Sequence, residues 1–230
     1  MLETVFILIC VGLLWGAWTL SRVALSGSRI LPAVWFAYTG CLGVLASQGF
    51  FYNFATLPPR LSLVVLPNLI LIAGLAFWPG IGERLTWVSA RRLIGFQVFR
   101  VLIEMLLFTL VRQRRLPEIM TVTGSNYDIF VGLTAPLVAW LAFRKGRERY
   151  GLALGWNLAG FAILTNTLVH GILSAPTRFQ VFHTSPPNML IAEFPWVWLP
   201  GFVVPCALIG HVLSFRQIRA IQAGGSARQL

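Results

Sequence analysis

Seven long apolar runs, separated by shorter polar stretches, organise the sequence: near 4–21, 30–50, 61–80, 93–111, 127–143, 151–173 and 195–215. Each falls within the roughly 17–25 residues that a helix needs to cross a bilayer. The runs are continuously apolar, whereas a transmembrane barrel shows alternating strands of about ten residues. In hydrocarbon a helix satisfies every backbone polar group within its own segment. The pattern therefore predicts an all-α, polytopic membrane protein, a single bundle of seven transmembrane helices. The fifth run is the shortest.

Composition agrees. The 230 residues are 57% hydrophobic and 11% charged, against about 25% charged in a soluble domain. No linker or low-complexity stretch divides the chain, so one bundle is expected. Met1-Leu2-Glu3-Thr4 lacks the basic start of a signal peptide, and the first run reads as a span rather than a removed leader. The net charge of +11 comes from basic residues that, Arg100 excepted, lie outside the apolar runs. They read as helix anchors rather than a nucleic-acid surface. Twelve of them, from Arg22 and Arg29 through Arg84, Arg91, Arg92, the Arg144–Arg149 cluster with Lys145, and Arg216, Arg219 and Arg228, fall in one set of loops. Five, Arg60, Arg112, Arg114, Arg115 and Arg178, fall in the other. The positive-inside rule then places the N-terminus outside and the C-terminus inside, with the Arg112–Arg115 cluster as the exception on the outer side. Cys10, Cys41 and Cys206 sit in separate runs and read as small buried hydrophobes, with no disulfide framework or metal site.

Charge inside an apolar run is expensive in hydrocarbon and marks function by default. The fourth run contains Arg100 and Glu104, and Gln97, Arg100 and Glu104 at i, i+3 and i+7 share one stripe. Arg100 and Glu104 are at helix-pair spacing; they are either an ion pair that fixes packing or part of a relay or substrate anchor. Asn157, Asn166 and His170 place polar groups on run six, and His211 does so on run seven. Gln97, Asn157 and His211 fall at similar depth near the inner end. His211 is the proton-switch candidate. On the outer side Asn126 and Asp128 read as a cap and a dipole-matched acid at the start of run five. With Glu118, Arg178 and Glu193 they would flank an entrance.

Two outer segments, Leu116 to Asp128 and Ser174 to Pro195, are rich in Pro, Gly, Ser and Asn and predict ordered turns capping the bundle. Pro67, Pro136, Pro200 and Pro205 predict kinks whose freed carbonyls neighbours must re-satisfy. The Gly151–Gly155 step suits close helix packing. Several chemistries are excluded. Lys145, the lone lysine, is in a loop, so no retinal Schiff base forms in the last run. With only three histidines and no HExxH, P-loop, GxSxG or GxGxxG motif, no metal and no cofactor is predicted.

Phe96 to Pro136, and Trp156 to Gln217 with its SAPTRFQ, FPWVWLPGF and GHVLSFRQ pieces, resemble a group of uncharacterised bacterial seven-helix membrane proteins. The resemblance implies a bacterial inner (plasma) membrane and brings no known activity. Three functions stay open. A proton-coupled or small-molecule transporter predicts a path from the outer cap past Glu104, Arg100 and Gln97 to His211. An intramembrane enzyme on a lipid-like substrate predicts a pocket open sideways to lipid and closed to one face, with Glu104 as acid or base. A structural or assembly subunit predicts no cavity. The expected partners are the lipid bilayer and a small molecule or proton.

Overall fold

The computed structural model describes residues 1–24, 29–144 and 146–227, and all regular structure among them is helical. Lys145 and Arg228, counted in the charge asymmetry above, lie outside the described residues. The helices are α1 (Leu2–Ala24), α2 (Ile30–Ser47), α3 (Ser62–Phe77), α4 (Ile81–Leu85), α5 (Ala90–Gly95), α6 (Phe99–Arg112), α7 (Asp128–Ala142), α8 (Tyr150–Ser174) and α9 (Val204–Ala227). Five helical runs are long and apolar enough to cross a membrane: Leu2–Arg22, Ile30–Ser47, Ala90–Arg112, Tyr150–Ser174 and Leu199–Gly224. Ser62–Phe77 and Asp128–Ala142 are apolar but shorter.

The last run is displaced from its expected bounds. It starts at Leu199 with a π-helical turn, Leu199–Val203, and continues as α9 well past residue 215. The extension holds because its polar side chains find partners: Gln217 Nε2 donates to the Leu85 and Val88 carbonyls at 2.6 Å each, and Ile218 is buried. The short α4, absent from the sequence reading, supplies that docking surface. The fourth run is likewise interrupted: α5 passes through a 3₁₀ turn, Phe96–Val98, before α6 begins.

Helix α9 is the axis. Of its apolar window 67% is buried, against 17% for α1, and it packs against α3, α4, α5 and α8. Its Leu208, Val212 and Leu213 are buried among residues of the surrounding helices. The periphery is the reverse: Trp15, Ile70 and Phe77 are 72%, 73% and 83% exposed. Exposed apolar surface of this extent is what lipid contact requires. Cys10 and Cys206 are buried as expected, whereas Cys41 is exposed, because it points away from the core face of α2 that carries Leu42 and Ala46.

Two prolines are repaired by side chains. Pro67 and Pro205 lack the N–H that would bond the carbonyl four residues earlier. Leu63 O instead accepts from the Tyr38 hydroxyl at 2.8 Å, and Gly201 O accepts from Asn68 Nδ2 at 2.9 Å. Asn68 also donates to Val64 O and accepts from Trp35 Nε1, both at 2.9 Å. It was not singled out by the sequence reading, and it ties α2, α3 and the π turn together.

The Gly151–Gly155 step does not mediate close packing, since a Cβ at either glycine would meet nothing within 4 Å. The tight approaches are elsewhere. A Cβ at Gly132 would lie 2.8 Å from Val101 Cγ2, and one at Gly160 would lie 2.5 Å from His211 Cε1. Those two glycines bring α7 onto α6 beside Arg100, and α8 onto α9 beside His211.

The segment 116–127 does not lie over the bundle as a simple cap. Leu116, Met120, Thr121 and Asn126 are buried, and Val122 N donates to Glu104 Oε1 at 2.8 Å. Glu104 is eight residues before the end of α6, about 12 Å along a helix rising 1.5 Å per residue. The segment is therefore inserted among the helices. Irregular backbone at that depth is tolerable because protein surrounds it, and Gly124 lets it fold back on its own Glu118 and Ile119 backbone.

Candidate functional site

The buried charges of α6 do not pair with each other. Glu104 takes the Val122 N–H on Oε1 and Asn126 Nδ2 on Oε2 at 2.9 Å. Arg100 points elsewhere: Nη2 forms a salt bridge with Asp128 Oδ1, and Nη1 donates to His211 Nε2 at 3.0 Å. A guanidinium only donates, so Nε2 accepts and the imidazole proton is on Nδ1, which donates to Asn157 Oδ1 at 2.9 Å. Asn157 Nδ2 passes the line on to Ser214 Oγ at 3.0 Å. Arg100 on α6, Asp128 opening α7, Asn157 on α8 and His211 on α9 thus meet at one point.

Asn126 is the hub that holds Glu104 and Asp128 in place. Its Oδ1 accepts from Asp128 N at 3.0 Å and from Thr167 Oγ1 at 2.9 Å. Its Nδ2 donates to Glu104 Oε2 and to Met120 O at 3.0 Å. That uses all four hydrogen-bonding positions of an amide, which fixes both its orientation and the depth of the inserted segment. Asn126 and Asp128, expected at an entrance, are buried at the centre of the constellation.

The remaining residues named from sequence divide clearly. Gln97 lies one turn away, donating through Nε2 to Ala207 O at 3.0 Å. Asn166 and His170 stay apart from the cluster. Asn166 Nδ2 donates to Ser125 O at 2.8 Å. His170 Nδ1 donates to Asn166 O at 2.9 Å, and its ring stacks on Phe182 with centroids 4.8 Å apart. Glu193 approaches Arg115 at 3.7 Å, whose other partner is Glu3 at 2.7 Å, a residue the sequence reading passed over. Glu118 and Arg178 are exposed. Among the described residues no group of three or more His, Cys, Asp or Glu side chains could hold a metal ion.

A cavity of about 470 Å³ abuts the cluster, within the 300–1,000 Å³ common for small-molecule sites. Its wall is apolar over most of its extent: Val65 and Leu69 of α3, Ile103 and Leu107 of α6, Leu164 and Leu168 of α8. Arg100, Glu104, Asn126, Asp128 and Thr167 meet it at one end, which holds all of its charged lining residues; Ser62 and Thr177 are its other polar ones. The opposite end reaches the periphery between α3 and α8, where the lining residues Leu66, Ile172 and Phe179 are 54%, 38% and 58% exposed. A second cavity of about 270 Å³ lies among α1, α2, α3 and α9. The two share no lining residue; the first is bounded by Phe99 and Ala207, the second by Phe96, Cys206 and Gly210. The Gln97–Ala207 hydrogen bond lies in the partition between them.

The sequence profile of a domain of unknown function, DUF8737, matches residues 58–219. The chain belongs to the DUF8737 family. The match covers α3 to α8 and most of α9, so the cluster from Gln97 to Ser214 and every lining residue of the larger cavity lie inside it, while α1 and α2 precede it. No curated protein and no solved structure matches the chain.

Proposed function

We propose that this DUF8737 protein is a multi-pass protein of a bacterial inner membrane that takes an amphiphilic small molecule sideways out of the bilayer and holds its polar end at the Arg100–Asp128–Glu104 cluster. The cavity carries this reading: its wall is mostly apolar where it opens between α3 and α8, and its charged residues are all at its buried end. That gradient matches a molecule with a hydrocarbon body and a small head, and it opens where such molecules dissolve.

All seven apolar helices cross the bilayer in this reading. Helices α3 and α7 have 16 and 15 residues, about 24 and 22 Å at 1.5 Å per residue, short of a hydrocarbon core of about 30 Å. For α7 the inserted segment 116–127 fills the remaining depth with protein-buried backbone. The N-terminus is outside and the C-terminus inside, following the basic residues. The outer Arg112–Arg115 cluster, the exception to that rule, is partly neutralised because Arg115 contacts both Glu3 and Glu193.

Photolabelling tests the proposal. The full chain, reconstituted in phosphatidylcholine nanodiscs, is irradiated with a diazirine-bearing long-chain lipid analogue and digested. Label concentrated on the α3 and α8 residues that line the cavity, and lost on Gly171→Trp, supports it. Label spread evenly over the exposed apolar surface sinks it.

A second reading, a carrier, is favoured by the second cavity on the far side of the Gln97 partition. A 3₁₀ stretch inside a helix often marks a hinge, and Phe96–Val98 is that stretch. A carrier would move a fluorescent amphiphile across the bilayer of proteoliposomes; no movement above protein-free vesicles removes the carrier reading and leaves the binding one.

A further inference from the structure

The polar end of the larger cavity is incompletely bonded in a specific way. Asp128 Oδ1 is engaged by Arg100. Among the described residues its other oxygen, Oδ2, has no hydrogen-bond partner. Arg100 Nε is buried and also has none. A buried donor without an acceptor is costly. Elsewhere around the cluster, Asn126 is saturated and both Glu104 oxygens are engaged. The carboxylate is the more accessible member of the pair, with 12% of its side chain exposed against 3% for Arg100.

We infer that the ligand's head group is a hydroxyl: the site takes a long-chain or isoprenoid-like alcohol. This rests on the binding reading above and names the head that site selects. A hydroxyl carries one donor and accepts as well. It donates to Asp128 Oδ2 and, once the guanidinium turns toward the cavity, accepts from Arg100 Nε, which is buried as the side chain stands. The alternatives fit less well. A carboxylate or phosphate head would bring a third anion beside Asp128 and Glu104, with the one guanidinium already shared between Asp128 and His211. An ammonium has no acceptor, so it would leave Nε unmet and approach a guanidinium. A hydrocarbon would leave both positions open.

The experiment uses the full chain in phosphatidylcholine nanodiscs with four photoreactive C16 probes alike but for the head: hexadecanol, hexadecylamine, palmitic acid and hexadecane. The expected result is labelling of the cavity residues by the alcohol at about tenfold lower concentration than by any of the other three, two net hydrogen bonds being sufficient for that ratio. Asp128→Asn removes the negative charge while keeping the shape, and should shift the preference from the alcohol toward palmitic acid, which a merely structural role for Asp128 would not do. Equal labelling by alcohol and hexadecane, or preference for the amine or the acid in the unsubstituted protein, overturns the hydroxyl assignment while the cavity reading stands. Failure of all four probes to label the cavity overturns both. The unsubstituted protein decides the matter even where Asp128→Asn fails to fold.

Discussion

Two buried polar centres hold this bundle, and they are built on opposite terms. Around Asn68 every group answers a local deficit. Its Nδ2 restores the carbonyl that Pro205 leaves free, its Oδ1 takes the Trp35 indole, and Tyr38 covers the carbonyl that Pro67 leaves free. The centre is neutral and closed. Around Arg100 three helices contribute charged or titratable groups and a fourth an asparagine, an irregular segment is inserted to reach them, and the result still has unmet hydrogen-bonding positions beside a cavity. Buried polarity alone therefore does not distinguish scaffold from site. What separates these two centres is that the hydrogen bonding closes within the protein around Asn68 and does not around Arg100, where the open positions lie beside a cavity.

The largest expected effect tests the charged centre directly. Arg100→Met leaves Asp128 buried without its partner and costs about 3–5 kcal/mol of stability, read as a fall in thermal unfolding temperature in detergent. The double substitution Arg100→Met with Asp128→Leu recovers most of that loss, because no charge is left uncompensated. A single substitution as stable as the parent would mean that the salt bridge contributes little, and the contrast with Asn68 would lose its basis.

The two asparagines separate stability from ligand capture. Asn126→Ala strands a Glu104 oxygen, the Asp128 N–H and the Met120 carbonyl, for a loss of about 3 kcal/mol, and Asn68→Ala strands the Trp35 indole and the Gly201 carbonyl for about 2 kcal/mol. Asn126→Ala is expected to abolish photolabelling of the cavity, since the inserted segment loses its anchor. Asn68→Ala is expected to leave labelling intact at temperatures where the protein remains folded. Loss of labelling in both would show that the two centres act as one unit.

A smaller effect is expected at Gly160. A Cβ there would press on the His211 ring and turn the imidazole away from Arg100, at about 1–3 kcal/mol for overpacking. Because His211 does not line the cavity, Gly160→Ala should lower thermal stability while shifting the labelling concentration less than Asp128→Asn does. Equal shifts would place His211 within the binding centre itself.

These outcomes bear on what the chain reveals before it is folded. The helices could be located because hydrocarbon demands long uninterrupted apolar runs, and Arg100 and Glu104 stood out because charge within such a run is costly. Their partners were hidden. The i, i+4 spacing pointed Arg100 at Glu104, yet each reaches a residue of another element, Asp128 and Asn126, whose depth depends on an insertion that leaves no periodic trace. Asn126 and Asp128 had an adequate local explanation as a helix start, which concealed their role. Asn68 was missed for a related reason: its chief partner, Gly201 O, is 133 residues away, and the signal was indirect, a proline in the last run whose freed carbonyl required a donor from somewhere. Gly151 and Gly155 matched a packing motif by spacing, but which face of α8 meets α9 is decided by Gly160 and the imidazole it accommodates.

The smallest expected effect is at the rim. Arg115 bridges Glu3 at 2.7 Å and Glu193 at 3.7 Å, but its side chain and those of both carboxylates are more than one-third exposed. Exposed ion pairs contribute about 0–1 kcal/mol, so Arg115→Gln should leave thermal stability nearly unchanged at moderate salt. Its consequence is instead electrostatic. Glu3 belongs to α1 and Glu193 to the segment before α9, so Arg115 joins the part of the chain that precedes the DUF8737 match to the part within it. In the proposed orientation it also offsets two outer carboxylates. Arg115→Gln is therefore expected to increase protease cleavage near Glu193 in right-side-out vesicles, with α1 still inserted. Cleavage only in inverted vesicles would reverse the orientation and place this rim, with the segment inserted beneath it, on the cytoplasmic side.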